Sequence, residues 1–215
     1  MCKNKLTKLI LLRHCQAEGN LKRFFQGRID TDITELGAKQ TAQTAALLSN
    51  EPIDVIYSSP KLRAMKTASG INIYHEVGII TDERLVEINA GEWEGVLLTD
   101  IERLYPVQWG KWKNEPSAFH APGGESMRDV YDRVKSALLD IASENRGKTV
   151  CVVSHGCAIM NMMCFLHGLG VEDIGKITLG PNASVNAAVF DDELVPKVLF
   201  EGYAEHLQEG NREFF

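Results

Sequence analysis

Two histidines directly follow short apolar runs of the chain. His14 comes after Arg13, and His155 comes before Gly156. A neutral imidazole is a competent nucleophile near pH 7, so one of these histidines could attack a phosphorus atom. The other could donate hydrogen bonds to phosphoryl oxygens as negative charge develops on them. Each histidine alone could equally be an ordinary hydrogen-bonded residue at the rim of the fold, so the chemistry depends on what else lies nearby.

One arginine and several carboxylates could extend this chemistry. Arg63 lies near a predicted helix start and could bind phosphate oxygens bidentately, although a solvated surface role is the alternative. Glu87, Glu92 and Glu94 share one acidic segment, and one of them could protonate a leaving alcohol. Spacing alone does not select among the three. Asn20 is uninformative by itself, because loop asparagines mostly satisfy turns.

The sequence predicts neither a metal nor a cofactor. The two histidines have no Cys, Asp or Glu at the spacing of zinc ligands, and no HExxH motif occurs. A phosphate group would instead be neutralised by the arginines.

Cysteine usage and the N-terminal segment favour a cytoplasmic protein. The five cysteines are odd in number and form no CxxC pair, which disfavours a disulfide framework and suits a reducing compartment. Only four apolar residues follow Lys8 before Arg13, whereas a signal peptide has about 7–15. No apolar run approaches the roughly 18 residues of a membrane span.

Size and charge limit the possible partners. The 215 residues, 44% of them hydrophobic, suit a single domain over 1–215 with a sizeable core. The net charge is −6, and no run is rich in Lys or Arg, so a nucleic-acid partner is not expected. The expected partner is a small phosphate ester drawn in by a few local arginines. The oligomeric state does not follow from the sequence.

Strand-like and helix-like segments alternate along the chain, which predicts an α/β fold with a mostly parallel sheet. The predicted strands are Lys8–Arg13, Ile53–Tyr57, Thr149–Ser154, Val185–Phe190 and Pro196–Phe200. The predicted helices are a segment from an N-cap at Thr34 through Ser49, then Lys61–Ser69, Ser126–Asn145 and Cys157–Leu166. The stretch Ile71–Gly124, which holds all three tryptophans, is predicted to be rich in turns.

The predicted strands bring the candidate residues together. Ligands of open α/β sheets bind beyond the carboxyl ends of the strands. His14 follows the first predicted strand, Ser59 the second, and His155 a later one. We therefore expect these residues to share one edge of the sheet.

Several sequence blocks, in order, resemble the histidine phosphatase superfamily, whose fold is phosphoglycerate-mutase-like. The blocks are Leu11–Asn20, Gly27–Gly37, Tyr57–Pro60 with Arg63, Leu85–Gly95, Pro122–Ser126, Val152–Gly156 and Asn182–Ser184. Each block is weak alone, but the ordered set spans nearly the whole chain and is highly specific. The resemblance implies a three-layer sandwich around a mostly parallel sheet.

The resemblance also implies roles for individual residues. His14 would be the nucleophile and become phosphorylated, while Glu87 would donate a proton to the leaving group and then activate water. The phosphate pocket would be formed by Arg13, Asn20, Arg63 and His155. Phosphoryl transfer depends mainly on positioning and charge stabilisation, which such groups supply without a metal.

Cys15 departs from the family pattern, which has glycine after the nucleophilic histidine. If that backbone requires a positive φ, cysteine costs about 1–2 kcal/mol. Its thiol could face the positively charged pocket and be reactive, or it could point into the core as a small apolar group. The two interpretations are left open by the sequence.

The resemblance does not fix the substrate. The Pro-Gly-Gly-Glu-Ser segment is similar to the shorter bacterial phosphatases of the broad-specificity and α-ribazole types, which favours a phosphomonoesterase acting on a small metabolite. The alternatives are a cofactor-dependent phosphoglycerate mutase, disfavoured because the middle segment is short, and a catalytically silent phosphate-binding module. Most of the aromatic residues near the predicted site loops are expected in the core, with some walling the pocket: Phe24, Phe25, Trp93, Trp109, Trp112 and Phe119.

Overall fold

A computed structural model describes residues 6–208 and contains a six-stranded sheet flanked by helices. The strands are β1 (Thr7–Arg13), β2 (Val55–Ser58), β3 (Ile79–Thr81), β4 (Thr149–Ser154), β5 (Val185–Phe190) and β6 (Pro196–Tyr203). Their order is β3-β2-β4-β1-β5-β6, in which β3, β2, β4 and β1 are parallel and β5 and β6 are antiparallel additions. The predicted mostly parallel α/β sheet is confirmed.

The helices of the described residues lie on both faces of this sheet. They are α1 (Glu18–Lys22), α2 (Glu35–Leu48), α3 (Leu62–Asn72), α4 (Leu98–Leu104), α5 (Pro106–Asn114), α6 (Met127–Glu144) and α7 (Gly156–Leu166). None of these helices has the length and apolar character needed to cross a membrane.

The central strands are apolar throughout because both of their faces are buried. Successive side chains of a strand point to opposite faces. In β1, Leu9 and Leu11 belong to the core under α6 and α7, whereas Ile10 and Leu12 belong to the core under α2 and α3. The sheet thus lies between two helical layers, as the predicted three-layer sandwich requires.

Local capping explains where the two long helices begin. The Thr34 hydroxyl accepts a hydrogen bond from the Gly37 backbone N–H at 3.0 Å, which confirms the predicted N-cap of α2. Ser126 and Asp129 form a reciprocal capping box at the start of α6. These caps fix the first turns of helices that pack on opposite faces of the sheet.

Three of the predicted element boundaries are wrong by two or three residues, and the others agree to within one residue. Strand β2 begins at Val55 rather than Ile53, and α3 continues to Asn72 rather than ending at Ser69. Strand β6 continues past the predicted Phe200 to Tyr203. It does so because Gly202, at a φ of 62°, lets an irregular β5–β6 pairing continue to its end.

The stretch Ile71–Gly124 is more regular than predicted. It contains the edge strand β3, the helices α4 and α5, and several turns of 3-10 helix. Helix α5 buries no residue completely, so the sequence shows no apolar stripe by which to recognise it. The single-domain organisation stays a prediction, and Cys2 and the basic start of the chain lie outside the described residues.

Candidate active site

The two candidate histidines meet at the carboxyl edge of the sheet. Strands β1 and β4 are paired so that Arg13 lies opposite Ser154, and the next residues are His14 and His155. The backbone N–H of His14 donates to the Ser154 carbonyl at 2.9 Å. The two imidazole ring centroids are 5.1 Å apart. The expected convergence of the strand ends is therefore confirmed.

Hydrogen bonding fixes the tautomer of His14. Its Nδ1 lies 2.6 Å from the carbonyl oxygen of Cys15, which can only accept a hydrogen bond. Nδ1 must therefore carry the proton, and Nε2 keeps its lone pair. The ring is only 3% exposed and lines a cavity. Nε2 of His14 is thus available to react with a ligand in that cavity.

The surroundings keep His14 neutral. Burial, followed by the positive charges of Arg63 and Arg13, lowers the pKa of His14 well below its usual 6.5. The hydrogen bond to Cys15 opposes this shift only in part. A neutral imidazole is the nucleophilic form, so the environment favours reaction at physiological pH.

Arg63 is completely buried and is held by the loop that precedes α2. Its Nη1 donates to the Ile29 carbonyl at 2.8 Å and its Nη2 to the Gly27 carbonyl at 2.9 Å. Burial lowers the pKa of Arg63, and the negative charge of Glu87 is the largest influence that opposes this shift. These bonds orient the guanidinium group toward the cavity that it lines.

Arg13 contributes a second cation to the same cavity. Its Nη1 donates to the Gly180 carbonyl at 2.8 Å. Burial lowers its pKa to about 10, with Glu87 opposing the shift. Arg13 therefore remains charged at neutral pH, and the two arginines outnumber the one carboxylate among the cavity's described lining residues. The site is therefore suited to an anion.

His155 offers a hydrogen-bond donor on the far side of His14. Its Nε2 lies 2.7 Å from the Ser59 hydroxyl, and Ser59 itself accepts from the Lys61 backbone N–H at 3.3 Å. If Ser59 donates to Nε2, the proton of the neutral ring is on Nδ1. That atom is buried and has no partner among the described residues. The ring therefore keeps one donor that the described residues do not use.

Burial also acts on the second histidine. It lowers the pKa of His155 well below 6.5, and the positive charge of Arg63 adds to the effect. His155 is therefore neutral at physiological pH, as is His14.

Of the three candidate carboxylates, Glu87 is the one that lines the cavity. It lies at the N-terminus of α7, where it accepts from the backbone N–H groups of Cys157 at 3.1 Å and Ala158 at 3.2 Å. The N-terminus of a helix favours a negative group. Glu92 instead accepts from the exposed Tyr105 hydroxyl at 3.0 Å.

Glu94 binds the backbone of the loop whose carbonyls hold Arg63. Its Oε1 accepts from the backbone N–H groups of Arg28 at 2.9 Å and Ala90 at 3.1 Å. A Cβ at Gly27 would lie 2.3 Å from that Oε1, and Gly27 has a φ of 49°. Glycine is thus required where the loop passes Glu94, and the same glycine's carbonyl holds Arg63.

Asn20 also lines the cavity, as the family resemblance implied. Its Oδ1 accepts from the Ala17 backbone N–H at 3.0 Å, which leaves the amide Nδ2 as its donor group. Five of the six predicted site residues therefore line one cavity, and the sixth, His155, is fully buried beside His14.

The rest of the cavity is aromatic and aliphatic. It has a volume of about 210 Å³, and Phe24, Phe25, Trp109 and Trp112 form much of its wall. Trp93 and Phe119 are instead completely buried in the core beneath these residues. Four of the six aromatics therefore line the cavity and two lie in the core, so fewer of them are core residues than the sequence analysis expected.

Three lining residues had no signal in the sequence. Gln26, Leu98 and Leu179 all contribute to the cavity wall. Leu179 belongs to the long connection between α7 and β5, and Leu98 opens α4. Their places depend on how distant loops fold back over the sheet edge, which no local pattern reveals.

Cys15 points away from the cavity. Its Sγ lies 3.0 Å from the Thr67 hydroxyl, and it packs in a small apolar cluster with Ala183 and Leu207. Burial is the main cause that raises the pKa of this thiol. Cys15 is not among the described residues with positive φ, so it carries no left-handed strain. The interpretation of a reactive, pocket-facing thiol is wrong, and the substitution is a packing change.

Arg133 of α6 clamps the segment that carries Glu87. Its Nη1 donates to the carbonyls of Arg84 and Val86, both at 2.7 Å, and its Nη2 to the carbonyl of Glu87 at 3.1 Å. Its Nε pairs with Glu125 at 2.9 Å. The side chains of this ion pair are largely buried, at 14% and 17% exposure.

Arg133→Met is expected to lower the free energy of unfolding by about 2–3 kcal/mol, because it leaves carbonyls and the Glu125 carboxylate without a donor. Urea unfolding measures the change. The matched control on the same helix is Arg128→Met, whose exposed partner Glu172 lies 3.5 Å away and whose loss should cost less than about 1 kcal/mol. Equal effects of the two substitutions would contradict the clamp.

The His14 ring is expected to stay neutral well below pH 6.5. Nitrogen-15 NMR of labelled protein should show the Nδ1–H tautomer at pH 6, whereas the urea-unfolded chain should titrate near the ordinary value of about 6.5. The sign follows from burial and the two arginines, which disfavour the imidazolium ion. A His14 titration midpoint at or above 6.5 in the folded protein would contradict this account.

Comparison with known proteins agrees with this geometry. The model of the histidine phosphatase superfamily (branch 1) matches residues 9–200. Phosphoserine phosphatase 1 of Hydrogenobacter thermophilus is 39% identical over 167 residues, which cover 78% of this chain and 79% of that protein. A 2,3-bisphosphoglycerate-dependent phosphoglycerate mutase of Azorhizobium caulinodans is 31% identical over 187 residues, covering 82% of this chain and 89% of the mutase.

A solved structure shows the same fold. Bacillus stearothermophilus YhfR superposes with a TM-score of 0.89 at 28% identity, covering 94% of this chain and all of that one. The family match extends from β1 into β6 and includes the strand ends that carry both histidines. The chain belongs to the histidine phosphatase superfamily.

Proposed function

We propose that this protein is a phosphomonoesterase that hydrolyses a small phosphorylated metabolite through a phosphohistidine at His14. The observation that carries the proposal is the free Nε2 lone pair of His14 beside two buried arginines, with Glu87 on the same cavity. The names of relatives such as phosphoserine phosphatase 1 support the reaction class.

In the first step, Nε2 of His14 attacks the phosphorus atom. The phosphorus–nitrogen bond forms as the ester phosphorus–oxygen bond breaks. Arg13, Arg63 and His155 bind the phosphoryl oxygens, and Asn20 supplies a further amide donor. Glu87, which takes up a proton as the anionic ester binds beside it, gives that proton to the leaving oxygen, so the alcohol departs uncharged.

In the second step, water attacks the phosphohistidine from the side vacated by the alcohol. Glu87, now a carboxylate, takes a proton from that water as the new phosphorus–oxygen bond forms. The phosphorus–nitrogen bond breaks and returns its electron pair to His14. Inorganic phosphate leaves, and both residues regain their starting forms.

The reaction is proposed to require no metal and no cofactor. The arginines supply the positive charge that the transferring group needs. Activity is expected to survive exhaustive dialysis against a chelator, measured as phosphate release before and after. Loss of activity that one specific metal ion restores would contradict this.

We also retain the cytoplasmic location as a prediction, supported by the four described cysteines, which are all buried and unpaired.

A phosphoglycerate mutase is the second candidate. The similarity to a named mutase favours it, because that protein is covered over 89% of its length and chain length therefore does not separate the two activities. Incubation with 3-phosphoglycerate and trace 2,3-bisphosphoglycerate distinguishes them. The phosphatase proposal expects little 2-phosphoglycerate. Efficient isomerisation without phosphate release would replace it with the mutase.

Turnover of p-nitrophenyl phosphate tests the proposal itself. This substrate has a good leaving group and asks little of the organic part of the site. Steady release of nitrophenol is expected from the wild-type protein. A preparation that binds phosphate or vanadate but releases no nitrophenol would instead be a catalytically silent module.

A further inference from the structure

The cavity at His14 adjoins a second chamber of about 360 Å³. Trp112, Cys157 and Leu179 line both spaces and form the boundary between them. None of the described phosphate-site residues lines the second chamber. The chamber therefore lies beyond the reaction centre, on the side where the organic part of a substrate would extend.

The walls of the second chamber are mainly apolar. Met127, Met160, Ile174 and Ile177 come from three different segments and face this space. Its one charged lining residue in the described chain is Lys113, an exposed side chain of α5 whose Nζ lies 5.5 Å from the centre of the Trp109 ring. A ligand entering from the His14 cavity would meet the sulfur and carbon of these side chains, with Lys113 and Asn114 as the polar side chains of the wall.

The first cavity places all of its charge at one end. Among its described lining residues, Arg13, Arg63 and Glu87 are the charged ones, and all three belong to the phosphate site. The remaining wall is aromatic and aliphatic apart from Gln26. A second carboxylate or an ammonium group on the substrate would be desolvated against this wall without a partner of opposite charge, which is costly.

The volumes of the two spaces also indicate that a ligand extends into the second chamber. Binding sites for small molecules commonly measure about 300–1,000 Å³. The first cavity, at about 210 Å³, falls below that range, and the adjoining chamber brings the combined space within it. The phosphate site with its aromatic wall is therefore only part of the space that a ligand could fill.

We infer that the substrate is a phosphate monoester of an uncharged, apolar organic group that passes between Trp112 and Leu179 into the second chamber. This inference rests on the proposed phosphatase function. The inferred substrate differs from the phosphoserine in the name of the relative phosphoserine phosphatase 1, because the cavity offers the serine carboxylate no cation beyond the phosphate site.

A series of n-alkyl phosphates tests the inference. The value of kcat/KM is expected to rise from ethyl through butyl to octyl phosphate by up to about 4,000-fold overall, since each of the six added methylenes contributes roughly a fourfold gain when it is buried. Phosphoserine should be a poor substrate.

Substitutions in the second chamber test whether that chamber causes the preference for long alkyl chains. Met160→Trp is expected to fill the second chamber and collapse the octyl-to-ethyl ratio of kcat/KM toward one. Ile177→Asp should lower the same ratio by placing a charge in the chamber. Val107→Trp introduces the same indole at an exposed position of α5 that lines neither space, and its ratio should match the wild type.

The outcomes separate the two levels of the proposal. The inference would be overturned by a flat alkyl series, by an unchanged octyl-to-ethyl ratio in both Met160→Trp and Ile177→Asp, or by a preference for phosphoserine. If p-nitrophenyl phosphate were still hydrolysed, the proposed phosphatase function would remain. No phosphate release from any ester, including p-nitrophenyl phosphate, would overturn the phosphatase together with it.

Discussion

Replacing His14 with alanine is expected to lower phosphatase turnover by roughly 10⁴-fold or more, the scale seen when a covalent nucleophile is removed. The imidazole Nε2 is the atom proposed to bond to phosphorus, and alanine offers no replacement. The remaining arginines would still bind the phosphate, so KM should change far less than kcat. Phosphate release from p-nitrophenyl phosphate under saturating substrate measures the loss.

His167→Ala is the matched control for this substitution. It removes a histidine whose side chain is 34% exposed and pairs with Glu201 at 2.9 Å, outside the cavity lining. That variant should retain wild-type turnover. Circular dichroism and thermal unfolding establish that the His14 variant is folded. Full turnover in folded His14→Ala would remove the covalent mechanism.

Glu87→Gln is expected to slow alkyl phosphates by about 10²- to 10⁴-fold, the usual contribution of general acid catalysis. Glutamine keeps the shape of the side chain but has no acidic proton to give. An alkoxide is a poor leaving group and needs that proton, whereas p-nitrophenolate leaves readily without it. Hydrolysis of p-nitrophenyl phosphate should therefore slow far less.

The comparison needs a control for the amide itself. The two oxygens of the Glu87 carboxylate accept from the backbone N–H groups of Cys157 and Ala158 at the N-terminus of α7. The glutamine amide has only one oxygen, so its NH2 group cannot replace the second acceptor. A thermal melt reports any loss of stability from that contact. Glu92→Gln, at an exposed carboxylate bonded to Tyr105, should leave both substrates unaffected. Equal slowing of both substrates by Glu87→Gln would assign Glu87 a structural role in place of a proton-transfer role.

The sheet and its reactive edge followed from the sequence because they depend on strong local patterns. Buried strands are continuous apolar runs, and the parallel β4 and the antiparallel β5 have their predicted bounds, Thr149–Ser154 and Val185–Phe190. Polar residues directly after such runs must lie at the carboxyl edge. The meeting of His14 and His155 is a consequence of that geometry.

The choice among the carboxylates could not be made from spacing. Glu87 and Glu94 are seven residues apart, yet they differ in what distant segments present to them. Helix α7 offers Glu87 two backbone N–H groups, while the loop at Arg28 occupies Glu94. Hydrogen bonds between residues about 70 positions apart leave no mark in the local sequence.

The helix that covers the cavity could not be predicted from the sequence either. Helix α5 lies over the cavity through Trp109 and Trp112 while the rest of it faces solvent. An element that covers a ligand space need not bury an apolar stripe in the core, so its pattern resembles a loop. Cys15 was ambiguous for a related reason, since the side that a residue faces after a strand end depends on the turn that follows.

The most direct test of the account is the location of phosphate on the enzyme during turnover. Protein mixed with p-nitrophenyl phosphate and quenched in base within milliseconds should carry phosphate on Nε2 of His14, identified by mass spectrometry and phosphorus NMR of the isolated peptide. Nε2 is predicted because Nδ1 is engaged by the Cys15 carbonyl at 2.6 Å. Phosphate on any other side chain, or its absence from His14 at every quench time, would contradict the central claim.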